Sequence, residues 1–115
     1  MKLGVIGCGK MGRALVGGII GGGLCRAEDV TGYDTYEAAS ASMAEELGVA
    51  VAPDNASVVA ASEVVLLCTK PQGFAGMLAE LGETSDRLLI SIAAGIRLAA
   101  IESGSGGRHR VVRVM

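Results

Sequence analysis

The chain has 115 residues, fewer than is usual for one compact domain, so it holds one core and one function-bearing surface, and two domains are excluded. Half of the residues are hydrophobic and 19% are charged, too apolar for a disordered tail, and a net charge of -2 gives no electrostatic footprint for nucleic acid. Collagen fails as well: 18 glycines stand beside only 2 prolines with no G-x-y period, so the glycines belong where backbone must approach something closely.

In chain order, short β-type runs alternate with helical stretches, the sequence sign of βαβ units around a parallel sheet. Lys2–Ile6 reads as a first strand and Met11–Gly21 as a helix, with Leu15/Ile19 and Val16/Ile20 paired at i, i+4 and Gly21-Gly22-Gly23 as its stop. Gly17 and Gly18 lower the helix propensity of that segment, so close packing on the sheet is the expected reason for them. Asp29–Tyr33 is a second strand, Glu37–Leu47 an Ala-rich helix, and Gly48 its expected left-handed stop. Val49–Val51 makes a short strand, and Asp54 or Asn55 caps a brief helix ending near Ala61. The unbroken apolar run Val64–Cys68 reads as a central strand covered on both faces. Pro71 opens a helix through about Leu81; Leu88–Ile92 is the next strand, Arg97–Glu102 a short helix, Ser103–Gly107 a loop and Val111–Met115 a last strand.

Several functions drop out along the way. The longest nearly charge-free stretch, Ala14–Cys25, is far shorter than the ~20 residues needed to span a bilayer and contains five glycines, so no membrane partner is expected. The N-terminus lacks the unbroken apolar core of a signal peptide. Three cysteines, Cys8, Cys25 and Cys68, are odd in number and without CxxC spacing, which argues against a disulfide framework or a metal site and for a reducing, cytoplasmic compartment. The basic run Arg108, His109, Arg110 and Arg113 reads as a solvated loop and strand end. His109 is the one histidine, too little for a Ser-His-Asp or metal scheme, and the methionines read as core filler.

One motif carries chemistry. Gly7-Cys8-Gly9-Lys10-Met11-Gly12 is a GxGxxG that follows a strand and opens a helix, the context in which the pattern binds a dinucleotide. Gly7 permits the tight turn, Gly9 leaves room for a pyrophosphate, and Gly12 lets helix and strand pack; the phosphates then face unpaired N–H groups at the helix N-terminus. Cys8 fills the variable position. Asp34 ends the second strand 22 residues after Gly12, near the spacing of about 20 expected for an acid on the adenosine ribose. Asp34-Thr35-Tyr36-Glu37 also matches a capping box, and the two roles are compatible. No Arg or Lys lies between Asp34 and Met43 to hold a 2′-phosphate, although Thr35 can donate one hydrogen bond, so the pattern leans to NAD while NADP stays open. The fold expected is a Rossmann-type, doubly wound, mostly parallel α/β sheet with helices on both faces.

Three further strings, Thr69-Lys70-Pro71-Gln72, Ser91-Ile92-Ala93-Ala94-Gly95-Ile96 and Arg113-Val114-Met115, join the glycine motif in a chain that resembles pyrroline-5-carboxylate reductase over its whole length. That enzyme completes proline synthesis by reducing a cyclic imine with NAD(P)H. A GxGxMG start is shared with 6-phosphogluconate and hydroxyisobutyrate dehydrogenases, which remain an alternative, as does a stand-alone NAD-sensing module. The resemblance implies that backbone of Cys8, Gly9, Lys10 and Met11 holds the pyrophosphate and that Asn55 lies beside the adenosine ribose. It places Cys68, Thr69, Lys70 and Pro71 at the nicotinamide ribose, and Ala93, Ala94 and Gly95 near the carboxamide. Each has a plainer reading: Asn55 as a helix cap, Lys70 as a solvated charge, Ala93-Ala94-Gly95 as a small-residue turn. Relatives continue beyond this point into a C-terminal helical domain that supplies the imino-acid pocket and homo-oligomer contacts. The expectation is therefore a cofactor-binding piece, inactive alone, with its catalytic residues unknown.

Overall fold

A computed structural model describes residues 1–114. Its elements follow in the order β1 (Leu3–Ile6), α1 (Lys10–Gly21), β2 (Val30–Tyr33), α2 (Glu37–Leu47), β3 (Ala50–Val51), α3 (Asn55–Ala61), β4 (Val64–Leu67), α4 (Phe74–Ala79), β5 (Leu88–Ser91), α5 (Leu98–Gly104) and β6 (Arg110–Arg113). One sheet of order β3-β2-β1-β4-β5-β6 contains every strand, and each neighbouring pair is parallel. The chain thus reverses its direction of travel between β1 and β4, the switch point outside which open α/β sheets bind ligands.

Alternation along the strands sorts the core into two layers. Leu3, Val5, Val30 and Leu66 point to one face and meet Val16 of α1 and Met43 of α2. Val65, Leu67 and Leu89 point to the other and meet Val58 and Val59 of α3, Phe74 and Leu78 of α4 and Ile101 of α5. Both faces of β4 are therefore covered, which explains its unbroken apolar run.

Helix ends follow local chemistry. Leu24 N–H donates to Ile19 O at 3.1 Å and Gly23 N–H to Ile20 O at 3.0 Å, closing α1 with the paired bonds of a Schellman motif. Gly48 ends α2 at φ 74°, a left-handed conformation that costs glycine little. Asp54 caps α3, its Oδ1 accepting from Ser57 N–H at 2.7 Å, so the cap is Asp54 and Asn55 is the first helical residue.

Several expectations need correction. Gly17 and Gly18 do not pack on the sheet: a Cβ on Gly17 would meet only a Leu47 methyl at 3.7 Å, and one on Gly18 nothing within 4 Å. The predicted helix from Pro71 to Leu81 is a 3-10 turn over Pro71–Gly73 followed by α4, which stops at Ala79; Gly73 and Gly76 weaken the segment. Α5 begins one residue later than predicted and runs on through Ser103 and Gly104. Met43 and Met77 are core, but Met1 and Met11 are exposed. The last strand is placed at Arg110–Arg113, one residue earlier than predicted; Val114 is not part of it, and Met115 lies outside the described residues.

His109 also departs from its reading as part of a solvated loop. It is buried at the N-terminal ends of β5 and β6, where its Nδ1 accepts from Arg87 N–H at 3.1 Å. Arg87 in turn donates from Nε to Val59 O at 3.2 Å. Burial, reinforced by Arg87 and Arg108, holds the His109 pKa below its ordinary value. No helix among the described residues is long and apolar enough to cross a membrane.

Candidate functional site

The turn after β1 is built from three glycines with three different surroundings. Gly7 has φ 99°, and a Cβ there would stand 2.6 Å from the Cys68 carbonyl carbon, so both conformation and space demand glycine. A Cβ on Gly12 would run into the Gly7 carbonyl oxygen, which fixes how closely α1 approaches the turn. Gly9 differs: it is exposed, and a Cβ there would meet nothing within 4 Å. It is also the N-cap of α1, whose first turn carries no side-chain cap and no acidic residue. The first-turn N–H groups and the positive end of the helix dipole are thus left to an outside anion.

Asp34, just past β2, ties this turn to its neighbour. Its Oδ2 accepts from Cys8 N–H at 2.7 Å and its Oδ1 from Tyr36 N–H at 2.8 Å. The capping box predicted for Asp34 is therefore not formed. Helix α2 starts at Glu37 with Tyr36 as N-cap and no side-chain cap, because the Asp34 carboxylate is drawn toward the glycine turn. Cys8 N–H is engaged in that bond, so among Cys8 to Met11 the donors suited to a pyrophosphate are those nearer the helix start.

These groups line a cleft of about 580 Å³ at the carboxyl ends of the strands, within the range of small-molecule sites. Of the residues singled out in the sequence, Gly7, Gly9, Asp34, Thr35, Asn55, Cys68, Thr69 and Lys70 face it together. Lys10, Met11, Gly12 and Pro71 belong to the adjoining helix starts and do not line it. Ala93, Ala94 and Gly95 follow β5 one strand further along: Ala93 is buried, and Gly95 takes φ 78° in an exposed turn. Asn55 is buried, and its Oδ1 has no hydrogen-bond partner among the described residues. A buried acceptor left unmet costs free energy that a donor on a ligand recovers.

The thiols contribute no nucleophile. Cys8 is fully buried, and burial together with the Asp34 charge pushes its pKa up to about 12. Burial pushes Cys68 up to about 11. Both are protonated near neutral pH. Among the described residues no group of three or more His, Cys, Asp or Glu is placed to hold a metal ion.

Sequence reasoning missed the far wall of the cleft, formed by Gly73, Gly76, Met77 and Glu80, and its opposite lip at Tyr36 and Ala39. A signal was present: Gly73, Gly76 and Glu80 recur at helical spacing, but a polar and glycine face reads as plain solvent exposure until the topology turns it inward.

The sheet order, the uncapped helix start and the open Gly9 define a Rossmann-type α/β domain organised around a glycine-rich phosphate turn. More narrowly, the chain belongs to the family described as NADP oxidoreductase, coenzyme F420-dependent, whose family model matches residues 2–95. It is 41% identical to the pyrroline-5-carboxylate reductase of Methanosarcina acetivorans over 99% of this chain and 43% of that protein. Among solved structures, a pyrroline-5-carboxylate reductase from Coxiella burnetii superposes with a TM-score of 0.88 at 30% identity, over 99% of this chain and 43% of that one. The Plasmodium falciparum pyrroline carboxylate reductase, solved with NADP bound, gives 0.82 at 23% identity over 100% and 42%, a likeness of fold. The chain spans less than half the length of these relatives.

Proposed function

We propose that this chain holds NAD(H) or NADP(H) in the cleft at the β1/β4 switch point, as the cofactor-binding part of a reductase that converts 1-pyrroline-5-carboxylate to L-proline. The observation that carries the reading is Gly9: an exposed glycine at an uncapped helix start, lining the cleft with open space where its Cβ would stand. The orphaned Asn55 oxygen in the same cleft fits a ribose hydroxyl. When bound, the dinucleotide supplies a hydride; the chain supplies position and electrostatics.

On this reading N–H groups of Gly9, Lys10 and Met11 meet the pyrophosphate. Asp34 and Thr35 meet the adenosine ribose from the β2 side, and Asn55 from the α3 side. Cys68, Thr69, Lys70 and Pro71 border the nicotinamide ribose, and Ala93, Ala94 and Gly95 lie beyond it at the end of β5. Each Asp34 oxygen accepts one backbone N–H and keeps a lone pair for a ribose hydroxyl. The only cation lining the cleft among the described residues is Lys70, at the β4 end, so a 2′-phosphate beside Asp34 finds no partner. NAD(H) is therefore favoured here. The imine pocket and homo-oligomer contacts belong to the remaining length of such a reductase, and a reducing cytoplasm suits its three free thiols.

The test is a chimaera in which this chain replaces the matching part of the Methanosarcina reductase, assayed for NADH and NADPH oxidation with the cyclic imine beside the 115-residue chain alone. Turnover by the chimaera and none by the short chain is expected. A folded chimaera that binds dinucleotide yet leaves the imine unreduced would contradict the assignment to this reaction.

A further inference from the structure

Strand β5 ends in a polar residue where the rest of the strand is apolar. Ser91 is fully buried, and its Oγ accepts from Ala93 N–H at 3.2 Å. Its carbonyl oxygen accepts from Val114 N–H at 2.8 Å, and Ile92 N–H donates to Leu67 O at 3.4 Å, so the strand end is tied to β6 on one side and β4 on the other. A buried hydroxyl is costly unless bonded, and an apolar side chain would fill this place in a covered parallel strand without that cost. What the hydroxyl adds is a folded-back turn. Ala93 is held down and buried, while Ala94 and Gly95, the latter at φ 78°, come out exposed. A Cβ on Gly95 would meet nothing within 4 Å, and the N–H groups of Ala94 and Gly95 make no hydrogen bond among the described residues.

Sheet order says what passes over this turn. With a pyrophosphate at Gly9, above β1, and one ribose toward β2 at Asp34, the other half of a dinucleotide runs the opposite way, over β4 and toward β5. Neighbouring strands stand about 4.8 Å apart, so the end of β5 lies roughly 10 Å from that of β1, within reach of the far ring. We infer that Ser91 is a positioning residue for the nicotinamide end of the dinucleotide: its hydroxyl, itself out of reach of any ligand, pins Ala93 so that the backbone of Ala94 and Gly95 meets the carboxamide of the ring. The inference rests on the dinucleotide reading and adds what holds the far half of the cofactor in register. A primary amide both donates and accepts, and an exposed turn offers it N–H and C=O groups together. Without the Ser91 acceptor, Ala93 N–H is left buried and unpaired, and the turn shifts to find it another partner.

The experiment is calorimetry of NADH and of ADP-ribose, which has the same charge and the same phosphates and riboses but no nicotinamide ring, on the wild type, Ser91→Ala and Ser91→Cys. The wild type should bind NADH on the order of fivefold more tightly than ADP-ribose, as one net hydrogen bond implies. Ser91→Ala should bring NADH down to the affinity of ADP-ribose and leave ADP-ribose itself unchanged. Ser91→Cys fills the same space with a sulfur that accepts weakly, so its NADH affinity should fall between the two. An equal change in both affinities, or none in either, would make Ser91 a residue of the fold alone and overturn the inference. A wild type that binds the two ligands alike would overturn it as well, and all of these results leave dinucleotide binding intact. A wild type that binds neither ligand would overturn the dinucleotide reading with it.

Discussion

Asp34 concentrates the chemistry of this site in one carboxylate, because it orders the glycine turn through Cys8 N–H, fixes the start of the next loop through Tyr36 N–H, and lines the cleft. A 2′-phosphate about 4 Å away meets a repulsion of about 1 kcal/mol per charge pair in water and about 4 at an effective dielectric of 20. Asp34→Ser should therefore shift the ratio of NADH to NADPH affinity toward NADPH by roughly tenfold or more, since ~1.4 kcal/mol suffices. The same variant leaves Cys8 N–H without its partner, a loss of about 1 kcal/mol in folding stability. Paired binding titrations and urea melts separate the two effects; an unchanged cofactor ratio with reduced stability would leave Asp34 a purely structural role. The sequence showed Asp34 through its distance from Gly12, but not its bond to Cys8, which exists only once β1 and β2 lie side by side.

His109 makes a second prediction at this scale. Its folded pKa lies below the ordinary 6.5, so the unfolded chain takes up the proton first as pH falls. Stability should be full above about pH 6.5 and decline as pH drops toward the lowered folded value. Groups on both sides of the ring set that direction: Arg87 and Arg108 disfavour the charged form, and Asp86 opposes them with smaller effect. Urea midpoints measured from pH 7.5 to 5.5 should fall more in the wild type than in His109→Gln, and equal slopes would contradict the account.

Among the elements, α1 carries glycines of two kinds that its sequence does not distinguish. Gly12 is held against the Gly7 carbonyl, whereas Gly18 faces open space. Gly18→Ala should raise stability by about 0.5 to 1 kcal/mol through lower unfolded-state entropy and better helix propensity. Gly12→Ala should destabilise by more than that gain, because the whole helix start must move. Thermal melts of the two variants check this, and a destabilised Gly18→Ala would show that the helix is packed there after all. The positions of most helix stops were legible, because Gly48, Asp54 and the Gly21–Gly23 run act through local backbone chemistry. The extent of α4 was not. Its segment reads as helix, but two glycines and a proline leave only a short α-helical stretch, and the face they expose acquires meaning from the walls across the cleft.

On the scale of the whole molecule, the regular alternation of strands and helices was enough to anticipate a doubly wound sheet, since a parallel strand needs a crossover and right-handed crossovers place helices on both faces. The apolar run of β4 located the sheet centre for the same reason, and with it the switch point beside Gly7. What stayed hidden is three-dimensional: which of the predicted residues share the cleft, and that residues 93–95 stand one strand beyond it. Hydrophobic patterning records which side of an element is inside, but not which exposed faces look at one another.

The central claim, that the cleft exists for a dinucleotide, is tested most directly by calorimetry of NADH binding to the wild type and Gly9→Val. The protein itself has no use for the space beside Gly9, and φ there is -73°, outside the left-handed region that demands glycine. The variant should therefore fold with a melting temperature within a few degrees of the wild type. The wild type should bind in the micromolar to millimolar range, roughly -8 to -4 kcal/mol, and Gly9→Val should show no measurable binding, its side chain lying where the pyrophosphate must pass. Equal affinity of the two folded proteins for NADH, or no binding by the wild type, would contradict the account.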